Sequence, residues 1–267
     1  MAITALHSAA TGLSALSREL DIISNNLANV NTTGFKTSRA NFEDLLYQEV
    51  QQPGLETADG SQEPAGLYVG LGTRISNTQL DFTQGSPVST GNQLDLMIDG
   101  QGFFRVSIPD AKGGTGYTRA GNFLRNVDGQ MVLGNGTGSL LDPPITIDPQ
   151  FTDVNIDQFG RVSGRNPDGT FTEIGQLEMA LFVNPTGLSP IGGNLYVATE
   201  ASGPEITGIA NEGSFGRILQ GQLESSNVDP VKELVSLIKT QRAFEMNSQS
   251  IQAADQALQV IGNLRRF

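Results

Sequence analysis

Apolar residues recur every three or four positions at both ends of this chain and lose that rhythm in between. Near the N-terminus they fall at Ile3, Leu6, Ala10 and Leu13, then at Leu16, Leu20, Ile23, Leu27 and Val30. Steps of three and four keep side chains on one face of a helix. The step from Leu13 to Leu16 is a three-residue stammer, which locally overwinds a coiled coil. Asn31-Thr32-Thr33-Gly34 then reads as a helix stop, with Gly34 as a left-handed terminator. The pattern predicts about 28 helical residues, ~42 Å long. At the other end Asp229 is a good N-cap and Pro230 suits the first helical position. The line that follows is Val231, Leu234, Ile238, then Phe244, Ile251, Ala254, Leu258 and Ile261. It predicts roughly 35 helical residues, ~52 Å long. Polar Gln241 and Ser248 interrupt it, and polar seam positions select register or partner.

The middle reads as β-structure. Asp95–Val106 is two apolar runs around a Gly-rich turn, a hairpin signal. Tyr117–Phe123, Asp128–Leu133, Val154–Val162 and Leu177–Val183 repeat the strand-turn-strand idea. Segment 47–76 is polar and carries Gly and Pro, so it predicts an extended arm too long for a simple connector. The expected fold is α+β. N- and C-terminal helices pair as a coiled coil, with a mostly antiparallel β insert and an extended arm between them. The expected boundaries are 1–46 and 221–267 for the two helical segments of the core, 47–80 for the arm and 81–220 for the β domain. Periodicity leaves open whether the seams pair privately within one chain or between subunits.

Composition sharpens this division. Residues 1–46 and 221–267 hold only 4 of the 32 glycines and 1 of the 12 prolines. A net charge of −12 sits almost wholly on the middle, where 8 basic residues face 19 acidic ones. Near-neutral ends can pack together, while an acidic body stays soluble and repels nucleic acid. No basic patch with interleaved aromatics occurs, which excludes nucleic-acid binding. Modest apolar content without Trp predicts a thin core or several small ones. No basic n-region or continuous apolar stretch opens the chain, so no cleavable leader is expected. No run approaches the ~18 apolar residues of a membrane span, and no direct membrane insertion is expected.

Candidate chemistry is sparse. Cysteine is absent and His7 is the only histidine, so neither a transition-metal set nor an ordinary nucleophilic triad can form. Most aspartates of the middle sit beside Gly, Pro or Asn, as in Asp99-Gly100, Asp128-Gly129, Asp142-Pro143 and Asp168-Gly169, where Asp serves a turn. Gly134–Gly138 lacks the Lys-Ser/Thr of a phosphate loop. No catalytic residue, cofactor or metal is expected, and the chain reads as a non-enzyme.

Ser24-Asn25-Asn26-Leu27-Ala28-Asn29-Val30-Asn31-Thr32-Thr33-Gly34-Phe35-Lys36 resembles the N-terminal signature of the bacterial flagellar rod and hook family. Ile98–Phe104, Tyr117–Phe123, and Ser226-Asn227-Val228-Asp229 leading to Gln241-Arg242-Ala243-Phe244-Glu245 extend the resemblance over essentially the whole chain. The motif positions are Asn25, Asn26, Leu27, Ala28, Asn29, Gly34 and Phe35. Within the family, Phe42–Gln48 followed by Gln52-Pro53-Gly54 and Gly70-Leu71-Gly72-Thr73 most resembles subunits of the distal rod, with Tyr47, Pro53, Gly54, Gly70 and Gly72 marking the arm. Many members carry an aromatic where His7 stands, and the Arg265-Arg266-Phe267 end is unusually basic for the family.

The resemblance implies a structural subunit of a straight helical tube that transmits motor torque to the hook and filament. Its seam residues would be Leu13, Leu16, Leu20, Ile23, Leu27, Val30, Val231, Leu234, Ile238, Phe244, Ile251, Leu258 and Ile261. Implied partners are further copies of itself, proximal rod subunits, hook or hook–rod junction subunits, peptidoglycan-associated and outer-membrane ring proteins, the type III export apparatus and the rod cap. The implied place is the flagellar basal body, crossing the periplasm. Alternatives are a proximal rod or hook subunit of the same family, a secreted peptidoglycan hydrolase and a coiled-coil adhesin.

Overall fold

The computed structural model describes residues 2–53, 65–108 and 114–264. Gly54 of the expected arm and the basic end 265–267 lie outside the described residues, as do the side chains of Ile3 and Ile261. The chain divides into two compact units. One comprises Met1–Leu27, Ser38–Gln79 and Pro230–Phe267; the other comprises Ala28–Thr37 and Leu80–Asp229.

The first unit holds both long helices. α1 spans Ala2–Ala28 and α2 spans Pro230–Leu264, which starts where Asp229-Pro230 predicts. α1 stops earlier than its seam implied: Val30 lies in the turn beyond it. The helices meet at Gly12, where an added Cβ would stand 3.0 Å from Asn247 Nδ2. Between them in sequence lie β1 (Ser38–Asp44), β2 (Tyr47–Gln51), β3 (Leu67–Gly70) and β4 (Thr73–Leu80). β1 pairs with β4, and β2 pairs antiparallel with β3, Tyr47 opposite Gly70. Bonds from Leu45 N to Gly72 O (2.9 Å) and from Leu71 N to Leu46 O (3.2 Å) join the two pairs into one two-stranded ribbon. The expected helical segment ending at 46 is therefore corrected. Residues 38–44 form a strand, although Ser-Arg-Ala-Asn-Phe-Glu-Asp has little strand propensity. Cross-strand pairs supply what propensity does not. Arg39 donates to Gln79, Asn41 donates to Asn77 at 2.7 Å, and Arg74 pairs with Glu43.

The second unit contains β5 (Pro87–Ser89), β6 (Leu96–Asp99), β7 (Phe103–Ser107), β8 (Thr115–Thr118), β9 (Phe123–Arg125) and β10 (Met131–Leu133). It continues through β11 (Asp153–Ile156), β12 (Arg161–Arg165), β13 (Phe171–Gln176) and β14 (Glu178–Leu181). β15 (Ser189–Gly192), β16 (Leu195–Val197), β17 (Ile206–Ile209), β18 (Arg217–Gln220) and β19 (Gln222–Glu224) complete it. A six-stranded antiparallel sheet has the order β15-β16-β8-β7-β14-β17, and β11-β12-β13 form a second sheet. The hairpins expected at Asp128–Leu133 and Val154–Val162 form as β9–β10 and β11–β12. The hairpin expected at Asp95–Val106 does not. β6 pairs with β18 while β7 pairs with β8 and β14, so the Gly-rich turn carries the chain from one sheet to another. Apolar content too small for one deep core divides into two clusters. The larger centres on Phe104, Phe123, Met131 and Met179. The smaller is aromatic, with Tyr117 and Phe182 packed edge-on at 4.7 Å and Phe103 against Phe82 at 5.4 Å. No helix among the described residues is long and apolar enough to cross a membrane.

Candidate subunit-interaction surfaces

Of the expected arm, residues 54–64 lie outside the described ones; the rest forms β2, β3 and β4 of the ribbon, and along β2 and β3 most apolar side chains are uncovered. Leu46 is 83% exposed, and Tyr47, Val50, Leu67 and Tyr68 are exposed beside it. Isolated two-stranded ribbons are marginal in water unless they pack on something. Here the base rests on α1. Ser8 Oγ donates to Gly70 O at 3.3 Å, and Thr73 N donates to Thr11 Oγ1 at 3.4 Å. Gly72, at φ +112°, lies so close to α1 that an added Cβ would stand 2.1 Å from Thr11 Oγ1. Pro53 is exposed at the far end of β2. At the near end of β2, the Tyr47 hydroxyl is held above its ordinary pKa by a hydrogen bond with Asp44.

The seam residues separate into two groups. On α1, Ile23 is buried and Leu13, Leu16, Leu20 and Leu27 are half-buried, beside buried Ala15 and Asn26. Val30, beyond the helix, is half-buried. On α2 the line changes face. Val231, Leu234, Val235 and Ile238 are exposed, Ile238 at 56%. The six-residue gap from Ile238 to Phe244 turns the helix by about 240°. Leu237, Thr240, Ala243, Asn247, Ile251, Ala254 and Leu258 then make up the covered face, with Phe244 at its margin. Within the chain, the covered face takes in only the later members of the expected α2 seam; Val231, Leu234 and Ile238 point away from it.

The signature residues do something the periodicity never hinted at. Asn25 and Ala28 are exposed, and Leu27, Asn29 and Phe35 are half-buried. Asn26 is buried and ties the chain to itself: its Nδ2 donates to Ser38 O at 2.8 Å and its Oδ1 accepts from Ser38 N at 3.1 Å. Gly34, at φ +67°, lies six residues beyond the helix rather than at its end. The close approach of backbone explains it, since a Cβ would stand 2.6 Å from Ala120 N.

Two residues later Lys36 is buried, with its ammonium donating to Glu224 Oε1 at 2.6 Å and to Thr83 O at 2.7 Å. Glu224 Oε1 also accepts from Gly85 N at 2.9 Å, and Arg119 Nη1 lies 3.6 Å from Oε2. Arg119 in turn donates to Gly100 O at 2.8 Å and sits 5.4 Å over the Phe103 ring. Burial lowers the pKa of both cations, and Glu224 opposes that shift in each. Lys36 was legible as part of the signature. Arg119 stands in the Tyr117–Phe123 stretch of the same resemblance, whereas Glu224 carried no local signal, because its partners lie far off in the chain.

Tyr196, beside this cluster, is pushed up to about 12, first by burial and then by the Glu224 carboxylate. Burial and a hydrogen bond to Glu205 raise Tyr117 as well. The folded chain keeps a proton that an unfolded tyrosine loses near pH ~10. The resulting stabilisation is complete below that pH and is lost as pH climbs through about 12. The thermal midpoint is expected to fall across this window together with the rise of phenolate absorbance. Tyr196→Phe is expected to flatten that fall; an unchanged slope would show that Tyr196 titrates normally.

Among the described residues no group of three or more His, Asp or Glu is placed to hold a metal ion.

Comparison with known proteins places these surfaces in context. Residues 6–36 match the model of "Flagella basal body rod protein", residues 97–164 that of "Flagellar hook protein FlgE/F/G D1 domain", and residues 219–264 that of "Flagellar basal body rod FlgEFG protein C-terminal". The chain is 43% identical over 259 residues to the flagellar basal-body rod protein FlgG of Agrobacterium fabrum, covering 96% of this chain and 97% of that protein. It is 42% identical to the FlgG of Caulobacter vibrioides over 98% of this chain and 99% of that one. It is 36% identical to the FlgG of Bacillus subtilis, over 99% of this chain and all of that one.

Proposed function

The chain belongs to the flagellar basal-body rod and hook protein family, and from that premise we propose that it is a structural subunit of the rod, in its distal part. It works by polymerising, not by catalysis. The observation that carries this reading is the pair of uncovered apolar surfaces: the stripe on α2 and the outer ribbon. Both occur in a chain that matches rod proteins along its whole length. Contacts that repeat between copies without closing on themselves generate a helical tube. The α2 stripe and the half-buried α1 seam supply helix-to-helix contacts in the tube wall, completing coiled-coil pairing between copies. The ribbon reaches a neighbouring copy and stiffens the tube as a straight shaft.

The partners of such a shaft are further copies of this chain, proximal rod subunits below and hook or junction subunits above. Around it stand the peptidoglycan-associated and outer-membrane ring proteins. The type III export apparatus and the rod cap serve delivery and assembly. Its place is the basal body, across the periplasm.

Electron cryomicroscopy of basal bodies tests the reading. Density for this chain in the straight shaft within the rings, ribbons bridging subunits, is the expected result. Density in the curved segment outside the cell would move it to the hook, and absence from the axial structure would overturn it.

A further inference from the structure

We propose that residues 28–37 are a latch, an excursion of the chain inserted into the second unit, fastened by the buried Lys36–Glu224–Arg119 cluster and releasable while the β body stays folded. The excursion leaves the first unit after Leu27 and returns to it at Ser38. Its neck is pinched by the two hydrogen bonds between Asn26 and Ser38. Within the second unit it is stitched by polar contacts. Gly34 N donates to Glu224 O at 2.8 Å, Asn227 N to Phe35 O at 3.3 Å, and Asp81 N to Thr37 O at 2.8 Å. Thr37 N donates to Asn227 Oδ1 at 2.8 Å, and Asn194 Nδ2 donates to Thr33 O at 3.0 Å.

What fastens the latch differs in kind from what holds the body. Neither hydrophobic cluster contains a residue of 28–37 or of 225–229. The buried side chain that the excursion contributes is a charged lysine. Segments with few buried apolar contacts open locally at lower free energy than the core around them. Three segments far apart in sequence must meet for the cluster to close: Lys36 from the excursion, Arg119 beyond β8 and Glu224 at the end of β19. A buried charge whose partner is removed is strongly destabilising, so the cluster acts as an all-or-none fastener. It also explains why Lys36 stands in the signature at all, since it makes no use of an exposed surface.

The fastener is asymmetric. Glu224→Gln leaves two buried cations, Lys36 and Arg119, facing each other. Lys36→Met leaves Glu224 with Arg119 and the Gly85 N–H. Hydrogen exchange of the intact chain, read peptide by peptide, is the test. For Glu224→Gln, exchange in 28–37 and 225–229 is expected to rise by roughly a hundredfold or more. Peptides covering β7, β10 and β14 are expected to stay at the wild-type rate. Lys36→Met is expected to raise exchange in the same two segments, by less. Unchanged exchange there in the glutamine variant would overturn the proposal. So would a rise shared by the whole β body, which would make the cluster an ordinary part of one cooperative fold. If the glutamine variant does not fold, Lys36→Met decides by the same criterion.

Discussion

Replacing Leu234 and Ile238 with aspartate is expected to leave the isolated chain folded and to abolish its assembly. Both side chains are exposed, on the α2 face opposite Thr240, Asn247 and Ile251, and no core cluster includes them. Exposed substitutions of this kind usually change stability by less than about 0.5 kcal/mol. About half of each side chain is still exposed, so burying the rest in a subunit contact contributes about 0.7–1.5 kcal/mol each. Losing both therefore weakens each contact by about 1.5–3 kcal/mol, roughly tenfold to a hundredfold in association. Like charges repeated in every subunit weaken it further. Ile23→Asp gives the opposite result, because Ile23 is 5% exposed and its replacement places a carboxylate in the packed face of the first unit. The measurement pairs thermal unfolding of the purified chains with rod assembly and motility in cells carrying each variant. Normal rods with the double aspartate would remove the stripe from the interface.

The same helix shows why periodicity was an incomplete guide. Its line of Leu, Ile and Val picks out the outward stripe at its start. The face covered within the chain carries Thr240, Ala243 and Asn247, small or polar residues that hydrophobic spacing ignores. Such residues let backbones approach closely, as Gly12 opposite Asn247 illustrates. The start of α2 was legible because a cap and a proline are local signals. So were the β9–β10 and β11–β12 hairpins, whose turns carry their own chemistry. The ribbon base at 38–44 was not, since its strand character comes from partners at 73–80 rather than from its own residues. Gly34 was legible as a left-handed residue, but its cause, the approach of Ala120, lies in a distant strand connection. The Lys36–Glu224 pair, spanning 188 positions, is invisible to any window along one sequence. What assembles units from remote segments escapes a local pattern, and here that includes the reason for the signature.

Gly72→Ala is expected to unseat the ribbon from α1. An alanine at φ +112° carries backbone strain of about 1–3 kcal/mol. Its methyl also meets Thr11 Oγ1 at 2.1 Å and the backbone of Ser8 at 3.1 Å, and overpacking of this kind costs about 1–3 kcal/mol more. Moving Thr11 aside gives up its acceptance from Thr73 N and its donation to Ser8 O. A total near 2–6 kcal/mol is a large share of the ~5–15 kcal/mol that holds a typical domain together. Two further variants divide that total. Gly169→Ala carries the same kind of strain at φ +81° with no atom within 4 Å, so it reads the strain alone. Gly72→Ala combined with Thr11→Ala removes the closest atom and should recover part of the loss while keeping the strain. Denaturant unfolding gives each value, and rod straightness in cells reports whether a ribbon without its seat can still bridge subunits. A Gly72→Ala chain as stable as wild type, with straight rods, would mean that the ribbon draws no support from α1 and that its stiffness resides wholly in contacts with other copies.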